Sequence, residues 1–258
     1  MFVNSAILQV HFRYALYDGH RFKKGGQEME EEKHYRHELK YAISYADYLA
    51  IRKRLKYIME SDPHTDENGR YQIRSIYFDN LDDKALREKE DGVEKREKFR
   101  IRYYNDDFSF ITLEKKMKIG NLCLKYDATI SKKECRKILD GELTFMKDHK
   151  EELVRELYAK MHYQGLRPRV LVSYEREPYI YKAGNVRVTF DSKIRTTMFH
   201  RGFLEEKVND VSATETPTDM LLEVKYDAFL PDVIRSAIQV PSIRQQAFSK
   251  YGACRRFG

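Results

Sequence analysis

Cysteine is scarce in this 258-residue chain. The three present, Cys123, Cys135 and Cys254, are too scattered for a disulfide framework or a CxxC metal site. They read as reduced thiols. No stretch approaches the roughly 20 consecutive apolar residues of a membrane span. The first residues lack the basic, apolar and small-residue order of a secretory signal, so a soluble, cytoplasmic protein is expected. There is no GxxxxGK(S/T) loop, GxGxxG, HExxH or GxSxG, which removes the common nucleotide-binding, zinc-protease and hydrolase routes. The histidines at 11, 20, 34, 37, 64, 149, 162 and 200 show no ligand spacing and read as structural or exposed. Repeats and low-complexity segments are absent as well.

Charge, by contrast, is abundant. Charged residues make up 34% of the chain and mean hydropathy is -0.72, both beyond what an ordinary globule needs for solubility, so part of the charge is functional. Lys and Arg exceed Asp and Glu by 48 to 41, a net +7 that calls for an anionic partner: a nucleotide, polyphosphate, nucleic acid or acidic membrane. The charge balance alone does not choose among them. The hydrophobic fraction of 41% is enough for a core, and no linker divides the chain after residue 33. Residues 1–32 form an N-terminal extension without clear periodicity, ending in a Lys23 to Gly26 turn and an acidic run, with Met29 as a candidate start.

The charge is ordered at period two. Arg36, Glu38 and Lys40 alternate with His37, Leu39 and Tyr41, and Arg96, Lys98, Arg100 and Arg102 alternate with Phe99, Ile101 and Tyr103. Thr112, Glu114 and Lys116 oppose Ile111 and Leu113, and Glu223 and Lys225 oppose Leu222 and Val224. Successive side chains of a strand point to opposite faces, so each segment has one ionic and one apolar face. One such strand is an ordinary solvated sheet. Several together, with acids among the bases, point to a closed barrel with a charged bore.

Helices fall between these strands. Ser44 with Asp47 has the spacing of a capping box before an apolar stripe of Tyr48, Leu49, Leu55 and Ile58, and that helix ends before Pro63. A strand from Ile73 to Asp79 precedes a short charged helix near Asp82 to Lys89. A meander of strands follows, from Lys95 to Tyr104, Ser109 to Lys116 and Leu122 to Ile130, with turns at Asn105-Asp106-Asp107 and Gly120-Asn121. Ser131 caps a helix to Leu139, and a second runs from about Asp148 to Tyr163. Strands from Arg169 to Tyr181 and Val186 to Thr197 flank a Gly184-Asn185 hairpin turn, and Leu221 to Tyr226 is a further strand. Pro231 opens a helix to about Val240, and the tail from Ser242 to Phe248 reads as helical. The sum is an α+β chain: an eight-stranded antiparallel β-barrel tunnel with helices packed outside.

Glu38-Leu39-Lys40, Glu114-Lys115-Lys116 and Glu223-Val224-Lys225 each put an acid and a base on one strand face, where the carboxylate can hold a divalent ion and the ammonium a phosphate oxygen. Any single triplet is more simply a solvated ion pair. Arg100 and Arg102 carry more weight, because two guanidinium forks on one side of a strand match phosphate oxygens. A nucleic-acid surface would not need carboxylates on the same faces, so no nucleic-acid partner is expected.

Arg36-His37-Glu38-Leu39-Lys40-Tyr41, Arg74 to Asp79, Lys98 to Tyr104, Leu113 to Lys116, Tyr174-Glu175-Arg176, Arg187 to Asp191, Leu222 to Tyr226 and Phe248 to Tyr251 resemble, in order, the motifs of the VTC domain. This is the polyphosphate polymerase module of the vacuolar transporter chaperone complex, within the triphosphate tunnel metalloenzyme superfamily. The likeness covers roughly residues 33–252, and residues 33–258 are expected to form one tunnel domain. It implies a tunnel that binds ATP and polyphosphate with Mn²⁺ (or Mg²⁺). Arg100, Arg102, Lys116, Arg176 and Arg187 would serve catalysis, Arg36, Lys40, Lys125, Lys225 and Lys250 would grip phosphates, and Glu223 would hold the metal, with Glu38 and Glu114 as further candidate ligands. A tunnel-fold triphosphatase would use the same lining. A non-enzymatic nucleotide or polyphosphate-binding module is a third reading, and Glu223 argues against it, since plain anion binding needs no carboxylate. No counterpart of the inositol-phosphate-sensing domain or of a membrane segment is seen, so a stand-alone, bacterial-type form is expected, with room for a membrane-protein partner.

Overall fold

The computed structural model describes residues 36–120, 122–197, 200–214, 220–245 and 248–257. The expected N-terminal extension, and Asn121 of the expected Gly120-Asn121 turn, lie outside them. In chain order the elements are β1 (His37–Ile43), α1 (Tyr45–Ile58), β2 (Glu60–Ser61), β3 (Tyr71–Asp79), α2 (Lys84–Glu90), β4 (Lys95–Tyr104), β5 (Asp107–Ile119), β6 (Leu122–Ile130), α3 (Lys132–Asp140), α4 (Glu152–Tyr163), β7 (Arg167–Tyr181), β8 (Val186–Thr197), β9 (Val211–Ser212), β10 (Met220–Tyr226), α5 (Asp232–Ile238), β11 (Arg244–Gln245) and α6 (Lys250–Phe257). None of these helices is long and apolar enough to cross a membrane.

Local chemistry accounts for most of the boundaries. Ser44 and Asp47 exchange reciprocal bonds, Ser44 N to Asp47 Oδ2 and Asp47 N to Ser44 Oγ, both 3.1 Å, and Ser131 with Glu134 does the same ahead of α3. Asn105 and Asp106 both have positive φ, 49° and 54°, the backbone that a two-residue hairpin between β4 and β5 requires. Between β7 and β8, Gly184 sits at φ 73°, and a Cβ there would meet the Phe229 carbonyl oxygen at 2.8 Å, so only glycine fits.

The strands form one antiparallel sheet in the order β11-β1-β10-β8-β7-β3-β4-β5-β6, with β2 on β7 and β9 on β8. Lys116 of β5 reaches Glu38 of β1 at 2.9 Å although five strands separate them in the sheet, so the sheet curls until its ends face each other. The expected barrel is not closed, however. Among the described residues the ends are joined by a single bridge, Arg36 to Cys123, rather than by a ladder.

Alternation sorts the apolar residues into three cores. On the convex side, α3 and α4 bury Cys135, Ile138, Val154, Leu157 and Met161 against Ile76, Phe78, Phe99, Ile101 and Leu113. Also on this side, α1 and α5 bury Tyr48, Ile51, Leu55 and Ile234 against Val188, Phe190, Leu222 and Val224. The third core lies on the opposite face: Ile73 and Tyr77 of β3, two-residue neighbours of Ser75 and out of phase with Ile76 and Phe78, pack with Val172, Tyr174, Tyr251 and Cys254. The helix that carries Tyr251 and Cys254, α6, therefore lies on the concave face, a correction to the expectation that helices pack only outside.

The helix expected at 242–248 is also overturned over residues 242–245. Arg244 and Gln245 pair with Ala42 and Tyr41 of β1, and the terminal helix starts only at Lys250. The unpaired edge of β1 takes backbone partners from this segment, and that outweighs its local helical tendency.

Candidate functional site

β1, β4, β5, β8 and β10 contribute ionic side chains to the concave face at period two, β6 and β7 add Lys125 and Arg176, and most of these are paired there. Glu223 accepts from Lys250 Nζ at 3.0 Å and from Arg176 Nη2 at 3.3 Å, with Lys40 Nζ 3.3 Å away. Asp191, fully buried, takes two bonds from Arg176 at 2.6 and 2.7 Å and a further contact from Lys250. Glu38 receives Lys116 at 2.9 Å and stands 3.6 Å from Lys40 and 3.9 Å from Lys225. Glu114 holds Arg100 through Nε at 2.6 Å, with Lys125 at 3.3 Å.

Arg102 differs. The residue is 5% exposed, its guanidinium donates to Ser75 Oγ at 3.0 Å and Tyr174 OH at 3.1 Å, and among the described residues no carboxylate lies within ion-pair distance of it. Arg100 beside it also donates to Tyr77 OH at 2.9 Å. Arg187 is oriented by Asp62 at 2.9 Å and Tyr71 OH at 2.7 Å.

These contacts set the protonation states. Burial would raise the Glu223 carboxyl, but Lys250, Lys40 and Arg176 outweigh it and hold the group well below the usual carboxylate range. Glu38 is lowered in the same way, against burial, by Lys116 and Lys40. Burial pushes the Lys225 ammonium down to about 7, with Arg176 and Lys116 adding repulsion that Glu223 and Glu38 only partly offset. Lys225 therefore gains its charge as pH falls through neutrality. Tripolyphosphate affinity is expected to rise by about tenfold from about pH 8 to about pH 6, the ~1.4 kcal/mol of one charge-assisted bond. Lys225→Arg should remove that part of the rise, leaving only the titration of the ligand itself. Identical pH profiles measured by calorimetry for the two proteins would show that Lys225 does not titrate at the site.

The concave face thus gathers Lys40, Arg100, Arg102, Lys116, Lys125, Arg176, Arg187, Lys225 and Lys250 with Glu38, Glu114 and Glu223. Arg36 stands apart, donating to the Asn185 carbonyl at 2.7 Å and pairing with Asp227 at 3.1 Å. Asp191, Ser75, Tyr77 and Tyr174 join the site without having been singled out from the sequence. Asp191 could have been, because it continues the Arg187, Thr189 alternation onto the same face. Asp62 could not, since it lies in an irregular loop with no period to mark it.

The three expected metal ligands do not converge. Among the described residues no group of three or more His, Cys, Asp or Glu is arranged to hold a metal. Glu114 is taken up by Arg100 and Lys125. Glu38 and Glu223, however, both approach the Lys40 ammonium, at 3.6 and 3.3 Å, so two carboxylates already converge on one cation. That donor set fits Mg²⁺ or Mn²⁺ held by one or two carboxylates together with substrate phosphates.

The sequence model of the VTC domain matches residues 35–257, nearly the whole chain. The chain belongs to the VTC domain family. No curated protein matches this VTC domain significantly. Among solved structures, it is similar to a candidate adenylate cyclase from Bacillus halodurans, with TM-score 0.45 and 15% identity over 75% of this chain and 81% of that one. It is also similar to the Mimivirus capping enzyme triphosphatase, with TM-score 0.36 and 10% identity over 91% and 94% of the two chains.

Proposed function

We propose that this VTC domain is a metal-dependent polyphosphate polymerase that transfers the γ-phosphate of ATP to the end of a growing polyphosphate chain. The observation that carries this reading is Arg102. Its buried guanidinium donates to two hydroxyls and touches no carboxylate among the described residues, Glu114 attracting it only from beyond contact distance, so its fork is left open to an anionic ligand. Arg100, Arg176, Lys40 and Lys250 surround the same space, and a triphosphate, with about four negative charges, is an anion of matching density.

In this reading Arg102 and Arg100 clamp the transferred phosphoryl group bidentately, while Arg176, Lys40 and Lys250 hold the neighbouring phosphates in fixed positions. Preorganised cations lower the barrier because charge redistributes over the phosphoryl oxygens with no solvent reorganisation. Glu38 and Glu223 would hold a divalent ion, which would supply further neutralisation of the phosphate charge. A terminal oxygen of the polymer attacks the γ-phosphorus, the bond from that phosphorus to the β-γ bridging oxygen breaks, and ADP leaves with that oxygen. The substrate places the enzyme where ATP is available, in the cytoplasm.

Incubation with ATP and Mn²⁺, followed by separation of products by length, tests the reading. ADP should form with phosphate retained as polymer and little orthophosphate at early times. Equimolar ADP and orthophosphate from the first time point would replace the polymerase with a triphosphatase, and bound but unconverted ATP would leave a binding module.

A further inference from the structure

Beyond the central cluster, the β4–β5 pair carries cations that no acid among the described residues neutralises. The antiparallel register sets Arg96 opposite Lys118 and Lys98 opposite Lys116, and β6 adds Lys125 opposite Lys116. Side chains directly opposite across strands lie about 5 Å apart at Cβ, and like charges in that relation repel. Lys116 and Lys125 have acids, Glu38 and Glu114. Arg96, Lys98 and Lys118 have none within ion-pair distance among the described residues. Arg96 donates to the Val93 carbonyl at 2.8 Å, and Lys98 lies over the Tyr251 ring at 5.0 Å. Lys118 has no hydrogen-bond or ion-pair partner for its side chain among the described residues.

All three are half-buried, so water does not fully solvate them. The outer face of the same strands shows that sequence can balance such charge: Lys115 pairs with Glu97 and Glu156, and Lys160 with Glu97. The imbalance is confined to the inner face. Lys98 shares that face with Arg100 and Arg102, and the ring beneath it belongs to α6, which brings Lys250 into the central cluster. Along β4, Arg102, Arg100, Lys98 and Arg96 form a row with one cation about every 7 Å.

We propose that Arg96, Lys98 and Lys118 form a second anion subsite that takes phosphate units of a polyphosphate chain lying beyond those held at Arg100 and Arg102. The inference rests on the polymerase reading for its ligand, but not for its test. A linear polyanion long enough to leave the central cluster supplies the charges that the β4–β5 ladder lacks. A single triphosphate fills the centre and does not extend along the row.

The test is binding without metal or turnover, so it stands whether or not ATP is converted to polymer. Affinities for tripolyphosphate and for long-chain polyphosphate are measured in wild type, Lys98→Met/Lys118→Met and Lys98→Gln/Lys118→Gln, alongside thermal melts of the unliganded proteins. Both double variants should bind long-chain polyphosphate about tenfold or more weakly, keep tripolyphosphate affinity within about twofold, and melt higher than wild type because repulsion is relieved. Unchanged long-chain affinity in folded variants would overturn the subsite. So would an equal loss for both ligands, since the lysines would then belong to the central site, or a fall in melting temperature, since they would then be structural.

Discussion

Arg102→Ala is expected to lower kcat/KM for ATP by about a hundredfold or more, with a much smaller loss of stability in the unliganded fold. The two halves of this expectation have one cause. Arg102 donates to the Ser75 and Tyr174 hydroxyls and touches no carboxylate among the described residues. Glu114 attracts it from beyond contact distance while Arg100 repels it, and on balance the unliganded fold favours its charge and leaves its fork open to an anion. Removing it takes only that modest gain from the free protein. In the complex, the same removal deletes a charge-assisted fork from a site with little water, worth ~3 kcal/mol or more. Arg102→Lys should recover only part of the rate, because one ammonium cannot reproduce bidentate geometry. Arg100→Ala offers the contrast: Glu114 would be left beside Lys125 without its fork, so stability and activity should fall together. If Arg102→Ala destabilised the free protein and left kcat/KM intact, Arg102 would be a structural residue and the argument for a phosphate clamp would lose its foundation.

Much of this site was legible because strand periodicity is a physical constraint. Once Glu38, Lys40, Arg100, Arg102, Glu114, Lys116, Glu223 and Lys225 alternate with apolar residues that must be buried, their common face follows. The starts of α1 and α3 were legible for a similar reason, since Ser44 with Asp47 and Ser131 with Glu134 satisfy helix-end donors locally. Where the governing interactions are distant in sequence, the reading failed. Nothing around Lys250 says that its helix lies on the concave face, because what fixes it there is remote: Tyr251 to Asp79, Arg255 to Asp83, and Lys250 to Asp191 and Glu223. The open seam between β1 and β6 is equally silent. Alternation tells which face is ionic, not whether the sheet's ends hydrogen-bond. Asp62, which orients Arg187, sits in a loop where no pattern marks it.

Asp191→Asn should produce the largest change in stability. The carboxylate is fully buried and neutralises two cations at once, Arg176 through paired bonds at 2.6 and 2.7 Å and Lys250 through its ammonium. The amide keeps the shape but loses the charge, leaving Arg176 and Lys250 with Glu223 as their remaining acid in a buried cluster. Breaking a buried ion network from one side costs about 3–5 kcal/mol, which in a domain of this size lowers the melting temperature by roughly 10 °C. The pH dependence has a definite sign. Burial raises the Asp191 carboxyl, yet Arg176 and Lys250 lower it further, so the folded value lies below the ordinary one. Its contribution is complete above the unfolded value and fades only as pH falls through the folded one, so the gap between wild type and variant should hold from neutrality down to about pH 5. Tripolyphosphate should narrow the gap by supplying the missing negative charge to Arg176 and Lys250, raising the melting temperature of the variant more than that of wild type. If Asp191→Asn melted with wild type at neutral pH, Arg176 and Lys250 would have to be neutralised by solvent, and the concave face would be a wet, open surface, not a preorganised anion site.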